Sequence, residues 1–307
     1  MVPFKAYCKS LPLHPFYRKQ KDMSKEFYEF MIKREELRLT KEAGIPWPWS
    51  NDKTLNTYKF TNVKREHDRT TKWMRKHWTS VNDKPTTPGT TLFNCALFRY
   101  FGTVEFAEVI GWQTKFGILE RERIKSIAAT RLANKERVFT GAYVITNQGL
   151  ALPKQEVVVD YFLRPLWDKR RKLSLAAQRT RSWRKVAQQL MKLPGFGGSG
   201  FMAKEVLQDA IHTSVFSSGC VDLNTYCPVG PGARRGLNRL YNRDLKYRAP
   251  SGLKEMISIF NDRDKYWPKH FVKLELHDIQ FQLCEYDKYQ RVLLGQGRPR
   301  SKYRART

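Results

Sequence analysis

Apolar residues recur along this chain with the spacing of helices rather than of strands. In 24–43, Phe27, Phe30 and Met31 form one stripe, Ser24 can cap the start, and Gly44 with Pro46 stops the run. The IPWPWSND stretch at 45–52 reads as an irregular turn, because two prolines restrict both themselves and the residues before them. A second helix is expected from about Leu55 through FTNVKREHDRTTKWMRKHW. The segment 79–90, with Pro85, Pro88 and Gly89, reads as a loop. Residues 91–112 then carry Leu92, Phe93, Ala96, Leu97, Tyr100 and Phe101 and suit a buried helix. Segments 118–134 and 138–146 follow, the second ending in the turn signal TNQG. No internal repeat interrupts this order, and the chain reads as mainly α.

The sharpest pattern lies in 182–212. Trp183, Val186, Ala187, Leu190 and Met191 follow i, i+3, i+4, i+7, i+8, and Ala203, Val206, Leu207, Ala210 and Ile211 repeat that spacing. Between them stands LPGFGGSG, so the segment predicts a helix, a glycine-rich hairpin and a second helix. Gly195, Gly197, Gly198 and Gly200 would let backbone approach a phosphate without a Cβ clash. Free N–H groups at the second helix's start, with Ser199 beside them, would face the anion. Lys204, Arg181 and Arg184 flank the loop as candidate DNA contacts. The plainer alternative is an αα-hairpin whose glycines only make the turn.

Charge gives the loop a partner. The 307 residues hold 57 Lys+Arg against 29 Asp+Glu, a formal net charge of +28. A protein this basic seeks a polyanion, usually nucleic acid, although an anionic membrane or an acidic protein fits the total equally well. Eight Trp, 14 Tyr and 18 Phe exclude a wholly disordered basic chain. The basic residues concentrate in 164–185, where Asp168 is the lone acid, and in 288–307, where none occurs. The last ten residues, RPRSKYRART, read as a mobile tail that solubilises or touches phosphates. No apolar run reaches about 18 residues, so a membrane span is not expected. The N-terminus lacks an apolar run of signal-peptide length, so secretion is not expected either. Cys8, Cys95, Cys220, Cys227 and Cys284 are scattered and odd in number, which argues for isolated thiols in a reducing compartment. Without CxxC or HExxH no metal site is assigned, and without GxxxxGK[ST] the chain should not be a P-loop kinase.

The hairpin resembles that of helix-hairpin-helix DNA glycosylases, LPGxGxxxAxxV, but here GFGGSGFMA is about two residues longer. The lyase-type lysine and the four-cysteine cluster of some of those enzymes have no counterpart. The resemblance implies a catalytic aspartate some 20–25 residues beyond the hairpin, and Asp222 lies 25 after Gly197. Six ordered motifs carry a wider resemblance: PWSNDKTLNTYKFTNVKREHDR, LFRYF (97–101), FTGAYVI (139–145), LPGFG…FMAKEVLQD, VGPGARRGLNRL (229–240) and HDIQFQLCEYDKYQR (277–291). Together they are similar to the glycosylase-like family of phage thymine hypermodification. That family comprises the α-glutamyl/putrescinyl thymine pyrophosphorylases, or amino acid:DNA transferases, and the helical domain of 5-hydroxymethyluracil (5-hmdU) DNA kinases.

The resemblance implies a glycosylase-like helical fold and a DNA-modifying transferase. A separate P-loop kinase phosphorylates and pyrophosphorylates 5-hydroxymethyluracil in DNA. The family member then replaces the pyrophosphate with an amino acid or polyamine, forming a C–N bond. The base would be flipped out for this, Mg2+ is a candidate companion of the pyrophosphate, and the protein would work in the cytoplasm of an infected host cell. Asp222 is the first candidate to orient or deprotonate the amine and Asp68 the second. Arg234 and Arg235, after the GPG turn, would hold the leaving pyrophosphate. Asn62, Arg65, Asp68 and Arg69 would share one helix face as substrate contacts. Trp47 and Trp49 could stack on bases, and Asp287 and Lys288 would make structural ion pairs. The expected organisation is 1–50 packed on a domain of 51–295, then a basic tail at 296–307. Two other functions remain compatible: a glycosylase that leaves an abasic site, and a non-catalytic DNA-binding partner of a kinase.

Overall fold

The computed structural model describes residues 23–79, 86–299 and 301–303. It is mainly helical, and no strand is present among those residues. In chain order the helices are α1 (Met23–Glu42), α2 (Lys53–Thr57), α3 (Arg69–Met74), α4 (Pro88–Phe101), α5 (Val104–Ile110), α6 (Ile118–Ala133) and α7 (Lys154–Glu156). They continue as α8 (Arg164–Thr180), α9 (Trp183–Leu190), α10 (Phe201–Ala210), α11 (Pro231–Leu240), α12 (Gly252–Asn261), α13 (Arg263–Tyr266) and α14 (Leu276–Leu293). A π-helical turn, Val157–Leu163, joins α7 to α8.

Two hydrophobic clusters organise these helices. One runs from Met74 to Phe216 and is centred on α4, every residue of which from Gly89 to Phe101 is buried. The other joins the two ends of the chain: Phe27, Phe30 and Met31 of α1 pack with Leu237 of α11 and with Leu276, Ile279 and Leu283 of α14. The segment from Met23 onward is therefore not an appendage, since α1 completes a cluster whose other members lie largely beyond residue 226. The α11–α14 crossing is close enough that a Cβ at Gly236 would lie 2.1 Å from the Leu283 carbonyl oxygen.

Several expected boundaries change. Ser24 lies inside α1 and donates its hydroxyl to Asp262 at 2.5 Å instead of capping. The helix ends at left-handed Gly44, whose N–H reaches Lys41 O, while that of Ile45 reaches Thr40 O. The helix expected from Leu55 to Trp78 is broken after Thr57 and resumes only as a short 3-10 turn, Arg65–His67, and then α3. Side chains replace its backbone ladder: Arg34 donates to Thr61 O, and Gln282 Nε2 donates to Asn62 O and Val63 O. The helix expected over 91–112 is split at Gly102 (φ +68), where a Cβ would meet Thr140 at 2.7 Å. Residues 138–146 form no regular element.

Helices stand on both sides of the glycine loop, and the apolar stripes face inward as their spacing requires: Trp183, Val186, Ala187 and Leu190 on α9, and Ala203, Val206, Leu207 and Ala210 on α10, are buried. The tail departs from a mobile end. Lys59 N donates to Ser301 O and Tyr303 N to Thr57 O, and the Tyr303 ring packs edge-on against Trp49 at 5.1 Å. Tyr303 supplies the apolar area that anchors it; Arg300 and residues 304–307 lie outside the described residues. Cys95, Cys220, Cys227 and Cys284 are free thiols, and Cys8 lies outside the described residues. No helix among the described residues is long and apolar enough to cross a membrane.

Candidate functional site

A buried polar node lies where α10 of the first cluster meets α14 of the second. Glu205 is its centre, accepting from Arg65 Nη2 at 2.6 Å and pairing with Lys204 Nζ at 2.9 Å. Lys204 Nζ also donates to Gln280 Oε1 at 2.7 Å and lies 3.2 Å from the centre of the Phe281 ring. The Arg65 guanidinium covers the same ring at 4.7 Å. One turn along α10, Asp209 pairs with Arg99 of α4, which also donates to Thr71 Oγ1 at 3.1 Å. Tyr143, from the loop after α6, donates its hydroxyl to Arg99 O and stands its ring 5.1 Å from Phe201.

Burial sets the electrostatics. Lys204 and Glu205 are 0% and 1% exposed. Burial opposes ionisation of Glu205, but Arg65 and Lys204 outweigh it and hold the carboxyl at about 2. Burial pushes the Lys204 ammonium below its ordinary range. At the rim, Asp68 keeps 16% of its side chain exposed, with Arg65 Nη1 at 3.7 Å and the Asn62 N–H at 3.0 Å. Burial raises its carboxyl above the usual range, and the attraction of Arg65 only partly offsets this. Asn62 links the rim to a cleft of about 140 Å³ whose walls include Arg34, Lys41, Phe60 and Tyr303.

The expected site residues are dispersed relative to this node. Arg65 and Asp68 belong to it. Asn62 uses its amide on His67 O at 2.8 Å, and Arg69 turns away, 72% exposed, to pair with Glu105. The four do not share a helix face, because the segment is not one helix. Lys204 cannot be a DNA contact: it is enclosed, and its ammonium is spent on Glu205 and Gln280. Asp222 serves as an acceptor at the start of α9, taking the Ser182 hydroxyl at 2.6 Å and the N–H groups of Trp183 at 2.7 Å and Arg184 at 3.1 Å. Neither Arg234 nor Arg235 is among its partners. Arg235 pairs with Asp287, 2.8 Å away, as does Arg239 at 2.7 Å, so Asp287 makes structural ion pairs as expected. Lys288 likewise makes one, with Glu285 at 2.5 Å. Arg234 lines a separate cavity with Arg243 and Arg248. Trp49 is covered by Lys41 and Tyr303, whereas Trp47 is 53% exposed.

The hairpin loop is shaped by its glycines. Gly195 has φ +84, and a Cβ there would lie 2.4 Å from Phe162 and 2.5 Å from the Tyr100 hydroxyl, which only glycine avoids. Gly198 and Gly200 are also left-handed, Gly197 and Gly198 are exposed, and Ser199 is half-buried. In the helices before the loop, Arg164, Lys169, Arg171, Lys172 and Arg179 of α8, then Arg181, Arg184 and Lys185, are all exposed. Arg184 lies 5.5 Å from the Tyr226 ring.

Glu275, His277 and Asp278 offer ligand atoms within 4.8 Å of one another. Lys64 Nζ, however, stands 2.6 Å from Glu275 and 3.0 Å from Asp278, so a fixed ammonium already fills the cation position. The free hard oxygens that magnesium needs are not offered there. His277 stacks on Trp183 with rings 5.9 Å apart, and burial drives its imidazole down to about 3.

Sequence reasoning missed Arg99, Tyr143, Glu205, Asp209, Gln280 and Phe281 as site residues. A signal was present: each lies within one of the six quoted motifs, and Arg99 is the single charge of α4. Comparison with known proteins gives the node a context. The family description "5-hmdU DNA kinase, helical domain" matches residues 21–298. A 5-hmdU DNA kinase of Bacillus phage SP10 is 26% identical over 266 residues, covering 80% of this chain and 41% of that relative. The chain thus spans about two fifths of the relative it matches. No solved structure matches it. With the match running from α1 through α14, the chain belongs to the family of 5-hmdU DNA kinase helical domains.

Proposed function

We propose that this chain grips DNA carrying 5-hydroxymethyluracil and acts on the modified base in a step of thymine hypermodification. The step is displacement of a pyrophosphate at the exocyclic methylene by an amino acid or polyamine. The observation that carries the reading is the position of α10. The helix begins at the glycine loop, which follows in sequence the exposed cations of α8 and α9, and its Lys204 and Glu205 enter the polar node. One face can hold phosphates, which position DNA without reading its sequence. The other leads through the buried node to its solvent-facing rim, where Asp68 would meet a base extruded from the stack. The helix-hairpin-helix glycosylase-like architecture is part of this proposal, supported by the two amphipathic helices around the loop.

Asp68 is the better base in this reading. It is the node carboxylate open to solvent, and its raised pKa suits a group that must take a proton near neutral pH. Asp222 is assigned to capping. The amine would be deprotonated by Asp68 as its nitrogen attacks the methylene carbon; the C–O bond breaks and pyrophosphate leaves with the electron pair. The test is a pyrophosphorylated 5-hydroxymethyluracil oligonucleotide incubated with amines, the product nucleosides being identified by mass. Asp68→Asn should lower turnover by at least about a hundredfold. Release of a free base would mean a glycosylase. DNA binding with no product under any amine would mean that the domain only presents DNA to a kinase, as the name of the phage relative allows.

A further inference from the structure

A second polar cavity lies away from the node, between α11 and α12. Its volume is about 200 Å³, and its walls include Arg234 and Asn238 of α11, Arg243 and Arg248 of the connection, and Glu255 of α12. We infer that this cavity is an anion site for a phosphoryl group, held by Arg234 and Arg248.

The charges decide this. Arg243 is already neutralised: Glu255 accepts both its Nη1 and Nη2, at 2.9 and 2.7 Å, and also takes the Ser251 hydroxyl at 2.6 Å. Arg243 is further fixed between Tyr241 and Tyr247, 4.5 and 5.3 Å from their ring centres. Arg234 and Arg248 pair with no carboxylate among the described residues. The cavity therefore carries two uncompensated guanidinium charges. Guanidinium forks match phosphate oxygens in geometry as well as in charge.

Unmet hydrogen-bonding capacity points the same way. Arg234 Nε is shielded from solvent without a partner, and so is Asn238 Oδ1, one turn further along the same face of α11. The Asn238 side chain is fully buried, and its amide is fixed by donating to Leu245 O and Tyr247 O at 3.3 and 2.9 Å. Its oxygen is thus an acceptor aimed beside an arginine donor. A phosphate monoester or inorganic phosphate near neutral pH offers both partners at once, oxygens for the guanidinium and a P–OH for the amide oxygen. The α12 N-terminus adds to the field: Gly252 and Leu253 line the cavity, and Ser251 spends its hydroxyl on Glu255 instead of capping.

This site rests on no part of the Asp68 reading, and its failure would leave that reading intact. The experiment is calorimetric titration of the whole chain with inorganic pyrophosphate and, separately, phosphate. Saturable binding is expected, weakened at least about tenfold by Arg248→Gln and by Arg234→Gln and unchanged by Arg171→Gln on α8 or by Asp68→Asn. Arg248 is exposed and bonds to nothing described, so its replacement leaves the fold intact. Unmodified duplex DNA distinguishes two sources of the group. Displacement of bound pyrophosphate by duplex would identify a backbone phosphate; duplex binding without displacement would identify a free or terminal phosphate. Absence of saturable binding, or affinity unchanged in the Arg234→Gln, Arg248→Gln double variant, would overturn the inference.

Discussion

Replacing Asp222 separates a structural carboxylate from a catalytic one. Asp222→Ala removes an ionised acceptor from the Trp183 and Arg184 N–H groups and from the Ser182 hydroxyl. Ser182 would still accept from Lys185 N, so α9 would be weakened at its start but not left uncapped. Loss of a cap costs about 0.5–2 kcal/mol. Loss of a negative charge at a helix N-terminus adds about 0.3–1 kcal/mol. The expected total is roughly 2 kcal/mol, since the residue is half-buried and water can reach part of the vacated site. At about 2.1 cal/mol/K per residue of unfolding entropy, a chain of this size should lose roughly 3 °C in Tm. Urea denaturation followed by far-UV circular dichroism measures the loss, and the same protein is assayed for DNA affinity and turnover below its transition. Affinity and turnover per folded molecule should stay within about threefold. Stability unchanged within about 0.5 kcal/mol, together with a hundredfold loss of turnover, would refute the capping assignment and restore Asp222 as the base.

Lys204→Met should destabilise the fold by about 3 kcal/mol, because Glu205 stays buried with one partner fewer; the salt dependence of DNA affinity should not change, as titrations from 50 to 200 mM salt would reveal. Arg171→Gln with Lys172→Gln, by contrast, should lower that salt slope by nearly two, about 0.9 for each phosphate no longer neutralised. Gly236→Ala places a Cβ 2.1 Å from a backbone oxygen of α14, which cannot rotate away, and should cost at least about 2–3 kcal/mol in urea denaturation. His277 gives an acid-side signature. Its folded value of about 3 lies below the ordinary 6.5, so the neutral imidazole belongs to the folded state. The associated stability is complete above about pH 6.5 and is lost as pH falls toward 3, by up to roughly 4–5 kcal/mol at 1.36 kcal/mol per unit. His277→Phe keeps a ring against Trp183 without a titrating group, and its stability-versus-pH curve should be flatter there; superimposable curves would refute the assignment.

The sequence alone determined what depends on local periodicity and on single residues. The stripe of α9 could be read because it buries one face at a spacing of 3.6, that of α10 from the same spacing although this helix is buried all round, and the loop between them because Gly195 stands where no Cβ fits. The exposed cations of 164–185 could be read from their number, since so many charges cannot all be buried. Tertiary structure decided which charges are surface and which are core. Lys204 and Arg184 look alike in sequence, yet one lies enclosed against Phe281 and the other faces solvent, because α14, some 75 residues further on, covers one side of α10. Tertiary contacts also undid the helix expected across Asn62 to Arg69: Arg34 and Gln282, distant in sequence, satisfy its backbone carbonyls and remove the need for a helical ladder. Asp222 sat at the expected spacing from the loop, but its role depends on which N–H groups it meets, and folding brings it to the start of α9. The node was invisible for the same reason, since Arg65, Arg99, Glu205 and Gln280 come from four separate segments and acquire a common chemistry only where the two hydrophobic clusters meet.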